Sequence, residues 1–335
     1  MLTRGLSGPV RRWLFWAMVK ARLRRYGLLV LAWCFRVNTL HVLLTLLPAM
    51  LMKLPRRLRG VDYRRSCQNL QLFDLDADRC RVLACQHSAI QFQRGLYQHL
   101  YRSHEPEHLR AWIRSIRWSD AGDHWQRGAR RSTIIALPHC GEYWMAVACV
   151  VERTSAPTRF IIPIWNFKDP FTHGSLKNLE GLGHVVEVLD SNDPRSALAI
   201  ARGVKRGDQV IIFCDLPVSL DGIQFGEPMS GRFFGRDAQF VKGPLFLASK
   251  LGCDLLLVGH RIRLGQVGEL RVIERVFRGP IEQMRAHWLK ALEGFILEAP
   301  QDWLYLPRME AFHHRQWSSS ERRQAGRSAS GVRPD

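Results

Sequence analysis

The chain has 335 residues, of which 46% are hydrophobic, and its 49 basic and 30 acidic residues give a formal net charge of +19. This hydrophobic fraction and a mean hydropathy of -0.16 are ordinary for a globular protein. They exclude a wholly disordered chain, a collagen-like fibre and a polytopic membrane protein. The length allows one large domain or two domains of ordinary size.

Most of the excess positive charge lies in residues 1–60, which contain 12 basic residues and no acidic residue. The basic clusters alternate with apolar runs at residues 13–19, 28–35 and 40–52, a pattern typical of segments that lie in the headgroup region of an anionic membrane. None of these runs reaches the roughly 20 residues that a membrane-spanning helix needs. We therefore predict that residues 1–60 form a helical membrane-anchoring segment, monotopic or re-entrant rather than a clean span. The alternative is a pair of core helices joined by a basic loop.

Residues 61–312 are predicted to form one α/β domain. Residues 61–127 have a helical pattern, and from residue 130 short β-forming runs alternate with helices. The predicted strands are residues 132–137, 159–164, 184–189, 209–214, 254–258 and 270–274, and the predicted helices among them are 142–151, 194–207, 244–251 and 281–297. This alternation predicts a mostly parallel central sheet flanked by helices. Residues 313–335 are predicted to be a disordered tail.

Two titratable side chains follow predicted strands. His139 comes after the run at 132–137 and Asp215 after the run at 209–214. In an α/β sheet, chemistry gathers at the carboxyl ends of the strands. A histidine there can act as a general base, and a carboxylate can orient its ring and stabilise the cation that forms. The alternative is that His139 is an ordinary hydrogen-bonded turn residue.

The eight cysteines lack the paired spacing of a zinc site or a disulfide scaffold, which indicates a reducing compartment and no metal. Cys140 raises a competing chemistry, because a thiol at a helix entrance can be an activated nucleophile. Adjacent residues in a turn usually point apart, so pairing between Cys140 and His139 is not expected.

Several segments together resemble the lysophospholipid acyltransferase superfamily, and within it the bacterial lipid A late acyltransferases and related glycolipid acyltransferases. They are LPHCGEYW at 137–144, DPF at 169–171, CDLP at 214–217 and FFGRDAQFVKGPLFLASKLG at 233–252, supported by RRSCQNLQLF at 64–73 and APQDWLYLPRM at 299–309. The similarity covers about residues 40–312. It implies a glycerolipid acyltransferase-like fold and places the chain at the cytoplasmic face of a bacterial inner membrane.

The sequence departs from the family pattern at one important position. The family places a carboxylate five residues after the histidine, whereas this chain has Trp144 there. Three interpretations remain open: Asp215 orients the base, Glu142 replaces the missing acid, or the site is weakened or lost. The family's arginine near the site also has no clear match, and Lys168 or Lys177 would have to replace it.

The resemblance implies transfer of a fatty acyl group from an acyl thioester to a hydroxyl of a lipid or glycolipid, with His139 as general base. The co-substrate would be acyl-carrier protein or acyl-CoA, and no cofactor is expected. Backbone N–H groups after Cys140 or a nearby cation would stabilise the oxyanion. The expected acyl-channel and acceptor-binding residues, whose alternative roles are core packing and a solvated basic loop, are Trp144, Lys168, Arg232, Phe233, Phe234, Arg236, Phe240 and Lys242.

The expected partners are the lipid acceptor, an acidic acyl carrier protein and the anionic membrane surface. Nucleic acid is not expected, because no recognised nucleic-acid-binding motif accompanies the charge. The alternative function is a catalytically inactive family member that binds lipid or acts in assembly.

Overall fold

The computed structural model of the protein describes residues 46–53, 60–103, 106–125, 133–154, 157–165, 169–220, 222–262, 264 and 268–313. Of the predicted anchoring segment 1–60, only the helix at 46–53 and Gly60 fall within these ranges, and the tail prediction lies outside them apart from His313. Within the described ranges, no helix is both long enough and apolar enough to cross a membrane.

A seven-stranded sheet forms the centre of the fold. Its strands are β1 (Arg117–Ser119), β2 (Thr133–Leu137), β3 (Arg159–Ile164), β4 (Val185–Asp190), β5 (Gln209–Phe213), β10 (Asp254–Arg261) and β11 (Glu269–Val276). They are ordered β1-β11-β10-β2-β5-β3-β4 across the sheet. Every neighbouring pair is parallel except β10 and β11. The predicted fold class, α/β with a mostly parallel sheet flanked by helices, is confirmed.

Helices cover both faces of this sheet. They are α1 (Gly60–Leu70), α2 (Ala77–Ser103), α3 (Pro106–Ser115), α4 (Tyr143–Glu152), α5 (Pro170–Lys177), α6 (Arg195–Arg206), α7 (Gly243–Leu251) and α8 (Ile281–Glu298). Short 3-10 helices occupy Gln71–Phe73, Asn178–Leu182, Pro300–Asp302 and Leu306–Phe312. The last two belong to a closing segment, residues 299–313, that returns to the sheet.

Two small hairpins lie outside the main sheet. The first pairs β6 (Ser219–Leu220) with β7 (Ile223–Gln224), and the second pairs β8 (Pro228–Phe233) with β9 (Arg236–Val241). The sequence prediction did not include these strands, and it treated Arg117–Ser119 as part of a helical region. That segment instead pairs with β11 at the edge of the sheet.

The central strand β2 lies between the two hydrophobic cores, one on each face of the sheet. All five of its residues are buried. Ile134 and Ala136 belong to the core on one face, and Ile135 and Leu137 belong to the core on the other. Because successive side chains of a strand point to opposite faces, a continuous apolar run is what a strand buried on both sides requires.

Candidate active site

His139 and Asp215 meet because their strands are neighbours in register. Leu137 of β2 is the register partner of Phe213 of β5. His139 and Asp215 each lie two residues beyond that pair, at the carboxyl edge of the sheet. The Nδ1 atom of His139 lies 2.7 Å from Oδ1 of Asp215. The structure therefore brings together the two residues that the sequence selected.

Asp215 is fully buried and surrounded by hydrogen-bond donors. The backbone N–H of His139 lies 2.9 Å from both carboxylate oxygens, and the indole N–H of Trp303 donates to Oδ2 at 2.9 Å. An ionised carboxylate only accepts hydrogen bonds, so this environment makes Nδ1 the protonated ring nitrogen of His139. The other ring nitrogen, Nε2, is then the one left to accept a proton.

The ring of His139 is fixed by aromatic side chains. Phe213 stacks on it with ring centroids 4.5 Å apart. Tyr143 and Tyr305 meet it edge to face at 4.8 and 5.3 Å. These contacts leave His139 about 9% exposed, as expected for a histidine held in one orientation rather than a mobile surface residue.

The closing segment holds the loop that carries His139. The backbone N–H of Leu304 donates to the carbonyl of His139, and the N–H of Gly141 donates to the carbonyl of Asp302, both at 2.9 Å. Cys140 and Trp303 thereby form an antiparallel bridge. The segment that resembled the family's closing motif thus lies directly against the predicted site.

Gly141 is required at its position by two independent features. Its φ of +57° is in the left-handed region, and a Cβ added there would lie 2.3 Å from the carbonyl oxygen of His260. A side chain at this position would therefore be strained and would also displace a neighbouring backbone.

Glu142, the second candidate acid, has carboxylate oxygens that form no hydrogen bond with His139. It is fully buried, and its backbone N–H donates to Nδ1 of His260 at 3.0 Å. Burial raises the pKa of its carboxyl to about 8, against the lowering effects of the Arg94 cation and the backbone N–H of Trp144. Of the two acids, Asp215 is the one in hydrogen-bond contact with the candidate base.

A cavity of about 450 Å³ opens beside His139. It runs from the carboxyl ends of β3 and β5 to the first turns of α6 and α7. Trp144, at the position where the family that the motifs resemble has an acid, lines it. Its other large apolar lining residues are Ile164, Trp165, Ile200, Ile212, Phe213, Leu216, Phe225, Phe246 and Leu247. A mostly apolar pocket of this size with a few polar groups suits a small apolar ligand or an acyl chain.

The phenylalanines expected in an acyl channel lie elsewhere. Phe233 and Phe240 are fully buried in the core with Trp303 and Phe312. Phe234 packs on Phe233 with centroids 4.0 Å apart. None of the three lines the cavity. They form a hairpin core, because alternate residues of β8 and β9 face α8 and the closing segment.

The basic residues expected to bind substrate are also dispersed. Arg232 is exposed and donates to the carbonyl of Gly235, and Arg236 is exposed on the same hairpin. Lys177 is bound to Glu180 and to the carbonyl of Val186.

Lys168 lies outside the described residues. Lys242 does line the cavity, where it forms an ion pair with Glu227. Among the described residues, Lys242 is thus the one predicted basic residue that lines the cavity.

The expected oxyanion donors are already engaged. The backbone N–H groups of Cys140, Gly141 and Glu142 donate to the carbonyls of Pro138 and Asp302 and to the ring of His260, respectively. The thiol of Cys140 is fully buried, does not line the cavity, and has its pKa raised by that burial. These features favour neither an oxyanion hole at these three amides nor a thiolate nucleophile at Cys140.

Sequence reasoning missed Trp303 as a partner of Asp215, and it missed Arg94 altogether. Arg94 lies on α2, is 3% exposed, and donates from Nε to the carbonyl of Gly141 at 2.8 Å. The signal that could have identified it is an arginine at an inward-facing position of a helix. Arginine is rarely buried without a specific partner, so such a position indicates a structural or functional contact.

Comparisons with known proteins add no family assignment. A scan against protein-family models found no model that matches the chain. A search of curated proteins found no significant match.

Proposed function

We propose that the protein is a membrane-associated acyltransferase. It moves a fatty acyl group from an acyl thioester, carried by acyl carrier protein or CoA, to a hydroxyl of a lipid or glycolipid. The observation that carries this proposal is the contact between His139 and Asp215 beside a largely apolar cavity of about 450 Å³. The resemblance to the lysophospholipid acyltransferase superfamily supports the same reaction.

His139 is the general base in this mechanism. Asp215 holds the proton on Nδ1, so Nε2 accepts the proton of the acceptor hydroxyl as its oxygen attacks the thioester carbonyl. A new C–O bond forms, the C–S bond breaks, and the imidazolium returns the proton to the leaving thiolate. Asp215 stabilises the imidazolium between these two steps without becoming protonated itself. No acyl-enzyme intermediate is formed.

The cavity supplies the site for the acyl chain. Its walls at Trp144, Ile164 and Phe225 offer apolar contact, and burial of a methylene group contributes about 0.8 kcal/mol. Tyr143 and His139 place polar groups in the same cavity. The thioester carbonyl would lie at that polar part, with the hydrocarbon against the apolar walls.

The surface at the cavity favours an anionic donor. Phe246 lines the cavity and is 37% exposed. The ammonium groups of Lys242, which is paired with Glu227, and of Lys250 lie 4.9 and 5.8 Å from the centre of its ring. Acyl carrier protein and CoA both carry phosphate on the arm that bears the thioester. The basic N-terminal segment adds attraction to an anionic membrane, where the lipid acceptor would be.

A second function, lipid binding without catalysis, is favoured by one observation. The acid of the family pattern is replaced by Trp144, which contributes to the apolar wall. A cavity of this kind binds a lipid chain whether or not transfer follows. The two functions differ in one measurable product, because only the enzyme releases the carrier thiol.

Thiol release by the full chain on anionic phospholipid vesicles tests the proposal. Acyl carrier protein and CoA thioesters would each be supplied with a bacterial lipid extract, and acylated lipids would be identified by mass spectrometry. We expect His139→Gln and Asp215→Asn to reduce turnover by about 10²–10⁴-fold, the usual contribution of a positioned general base.

His287→Gln is the matched control, because His287 is half-exposed on α8 and away from the cavity. It should keep wild-type turnover. Lipid binding by the wild type without thiol release would identify the non-catalytic alternative. Wild-type turnover in His139→Gln would overturn the proposed mechanism.

A further inference from the structure

Arg94 is a buried cation that donates its hydrogen bonds mainly to backbone carbonyls. Its Nε and Nη2 both donate to the carbonyl of Gly141, and Nη2 also lies 3.1 Å from the carbonyl of Asp302. Nη1 donates to the side chain of Gln91 at 2.7 Å. Among the described residues, no carboxylate forms an ion pair with it. Burying a charge costs free energy unless its hydrogen bonds are satisfied. The hydrogen bonds to these carbonyls are therefore what allows the guanidinium to be buried here.

The two carbonyls belong to the segments that hold the proposed catalytic pair. Gly141 lies two residues after His139, and Asp302 directly precedes Trp303, whose indole donates to Asp215. One planar guanidinium therefore joins the loop of the base to the segment that fixes its carboxylate. A fork of donors suits such a contact, because it engages two acceptors in one rigid geometry.

Arg94 also acts on a residue of the cavity wall. Its guanidinium carbon lies 5.1 Å from the centre of the Tyr143 ring, within the range of a cation–π interaction. The same ring meets His139 edge to face. Arg94 is thus linked to His139 indirectly in two ways: it binds the backbone at Gly141, and it contacts the ring of Tyr143, which packs on His139.

We infer that Arg94 is a positioning residue, which holds His139 and Asp215 in register for proton transfer by clamping the carbonyls of Gly141 and Asp302. This inference rests on the proposed acyl transfer. A displacement of about 1 Å in the reacting groups costs on the order of 10²-fold in rate. Loss of the clamp therefore lowers kcat, whereas the apolar walls that would hold the acyl chain, which Arg94 does not line, keep their shape.

The experiment compares Arg94→Met and Arg94→Lys with Arg261→Met. Arg261 is a second buried arginine, but it faces the side chain of Asp302 and the carbonyl of Phe295 rather than the His139 loop. For Arg94→Met we expect kcat to fall about 100-fold with the KM for the thioester within about twofold of wild type.

Arg94→Lys, which keeps the charge but carries its three N–H donors on one nitrogen and has no planar fork, should recover part of that loss. Arg261→Met should lower the melting temperature while keeping kcat within about threefold. Equal losses of kcat in Arg261→Met and Arg94→Met would reduce Arg94 to a stabilising residue and overturn the inference. A wild-type kcat in a folded Arg94→Met variant would also overturn the inference. If Arg94→Met does not fold, kcat in Arg94→Lys decides in the same way.

Amide hydrogen exchange separates this inference from the proposed reaction. The amides of Gly141 and Leu304 form the bridge between the loop and the closing segment. In Arg94→Met they should exchange at least tenfold faster than in wild type, and in Arg261→Met the ratio of their rates to those of core amides should stay unchanged. This result is obtained even if the wild type releases no thiol, in which case the proposed function fails and the clamp stands. Unchanged exchange at both amides in Arg94→Met would refute the clamp by itself.

Discussion

Replacing Gly141 by alanine tests whether the close approach of the His139 loop to β10 controls the site. The left-handed backbone costs an L-residue about 1–2 kcal/mol, and the stiffer unfolded chain returns about 0.4–1 kcal/mol. The added Cβ would also meet the carbonyl oxygen of His260 at 2.3 Å and its Nδ1 at 2.7 Å. Overpacking of this kind costs about 1–3 kcal/mol more. The variant should therefore lose about 1–5 kcal/mol of unfolding free energy, the sum of these three contributions.

Gly252→Ala is the matched control for Gly141→Ala. The φ angles of the two glycines are +63° and +57°, but a Cβ on Gly252 would meet no atom within 4 Å. The control should lose only about 1 kcal/mol, from the backbone conformation alone. The difference of about 2 kcal/mol corresponds to a melting temperature about 4–8 °C lower in Gly141→Ala.

Thiol release adds the functional measurement. Because the loop must move away from His260, Gly141→Ala should lose about 100-fold in turnover, whereas Gly252→Ala should keep wild-type turnover. If both variants melt at the same temperature and turn over alike, the contact with His260 has no influence on the site and the steric argument is wrong.

Two further predictions concern the neighbours of Gly141. The pKa of Glu142 is about 8 when folded and close to its ordinary 4.5 when unfolded, so its stabilising contribution is present below pH 4.5 and is lost as the pH rises to 8. Glu142→Gln should therefore flatten the fall in unfolding free energy over that interval by up to about 1.4 kcal/mol per pH unit, measured by denaturant titration at several pH values. An unchanged slope would refute the assignment. Cys140→Ser should keep turnover within about threefold, because the thiol lies outside the cavity and its burial raises its pKa. Complete loss in a folded variant would instead support a thioester on Cys140.

The strands and the candidate pair were predictable because both depend on local patterns. The apolar runs that became β2 and β5 are short, continuous and bounded by turn residues, and parallel neighbours bring their carboxyl ends to one edge. His139 and Asp215 then follow from position alone. The partners of that pair were not predictable, because Trp303 lies 88 residues from Asp215 in sequence and Arg94 lies 47 from Gly141. Only the tertiary packing of α2 and the closing segment brings them there.

The phenylalanines that were predicted to line an acyl channel lie in the core because of the periodicity of their strands. Phe233 and Phe240 alternate with polar residues along β8 and β9, and they face the core as a period of two requires. The turn between the strands places Phe234 at φ +50° and Gly235 at φ +71°, the pattern of a two-residue hairpin turn. A turn with phenylalanine rather than asparagine or aspartate at its first position gave no recognisable hairpin signal in the sequence.

Trp144 stands where the family that the motifs resemble has an acid, and the surroundings of His139 offer a physical reason for this difference. Trp144 is part of the wall of the apolar cavity, whereas the buried polar residues Arg94 and Glu142 do not line it. A charged carboxylate at position 144 would have to be desolvated in the apolar wall, at a cost of several kcal/mol per ion. Asp215 reaches Nδ1 from the sheet, where three donors from His139 and Trp303 already compensate its burial. In the proposed mechanism His139 thus has its carboxylate while the cavity wall stays apolar, so the tryptophan at position 144 is compatible with an active enzyme.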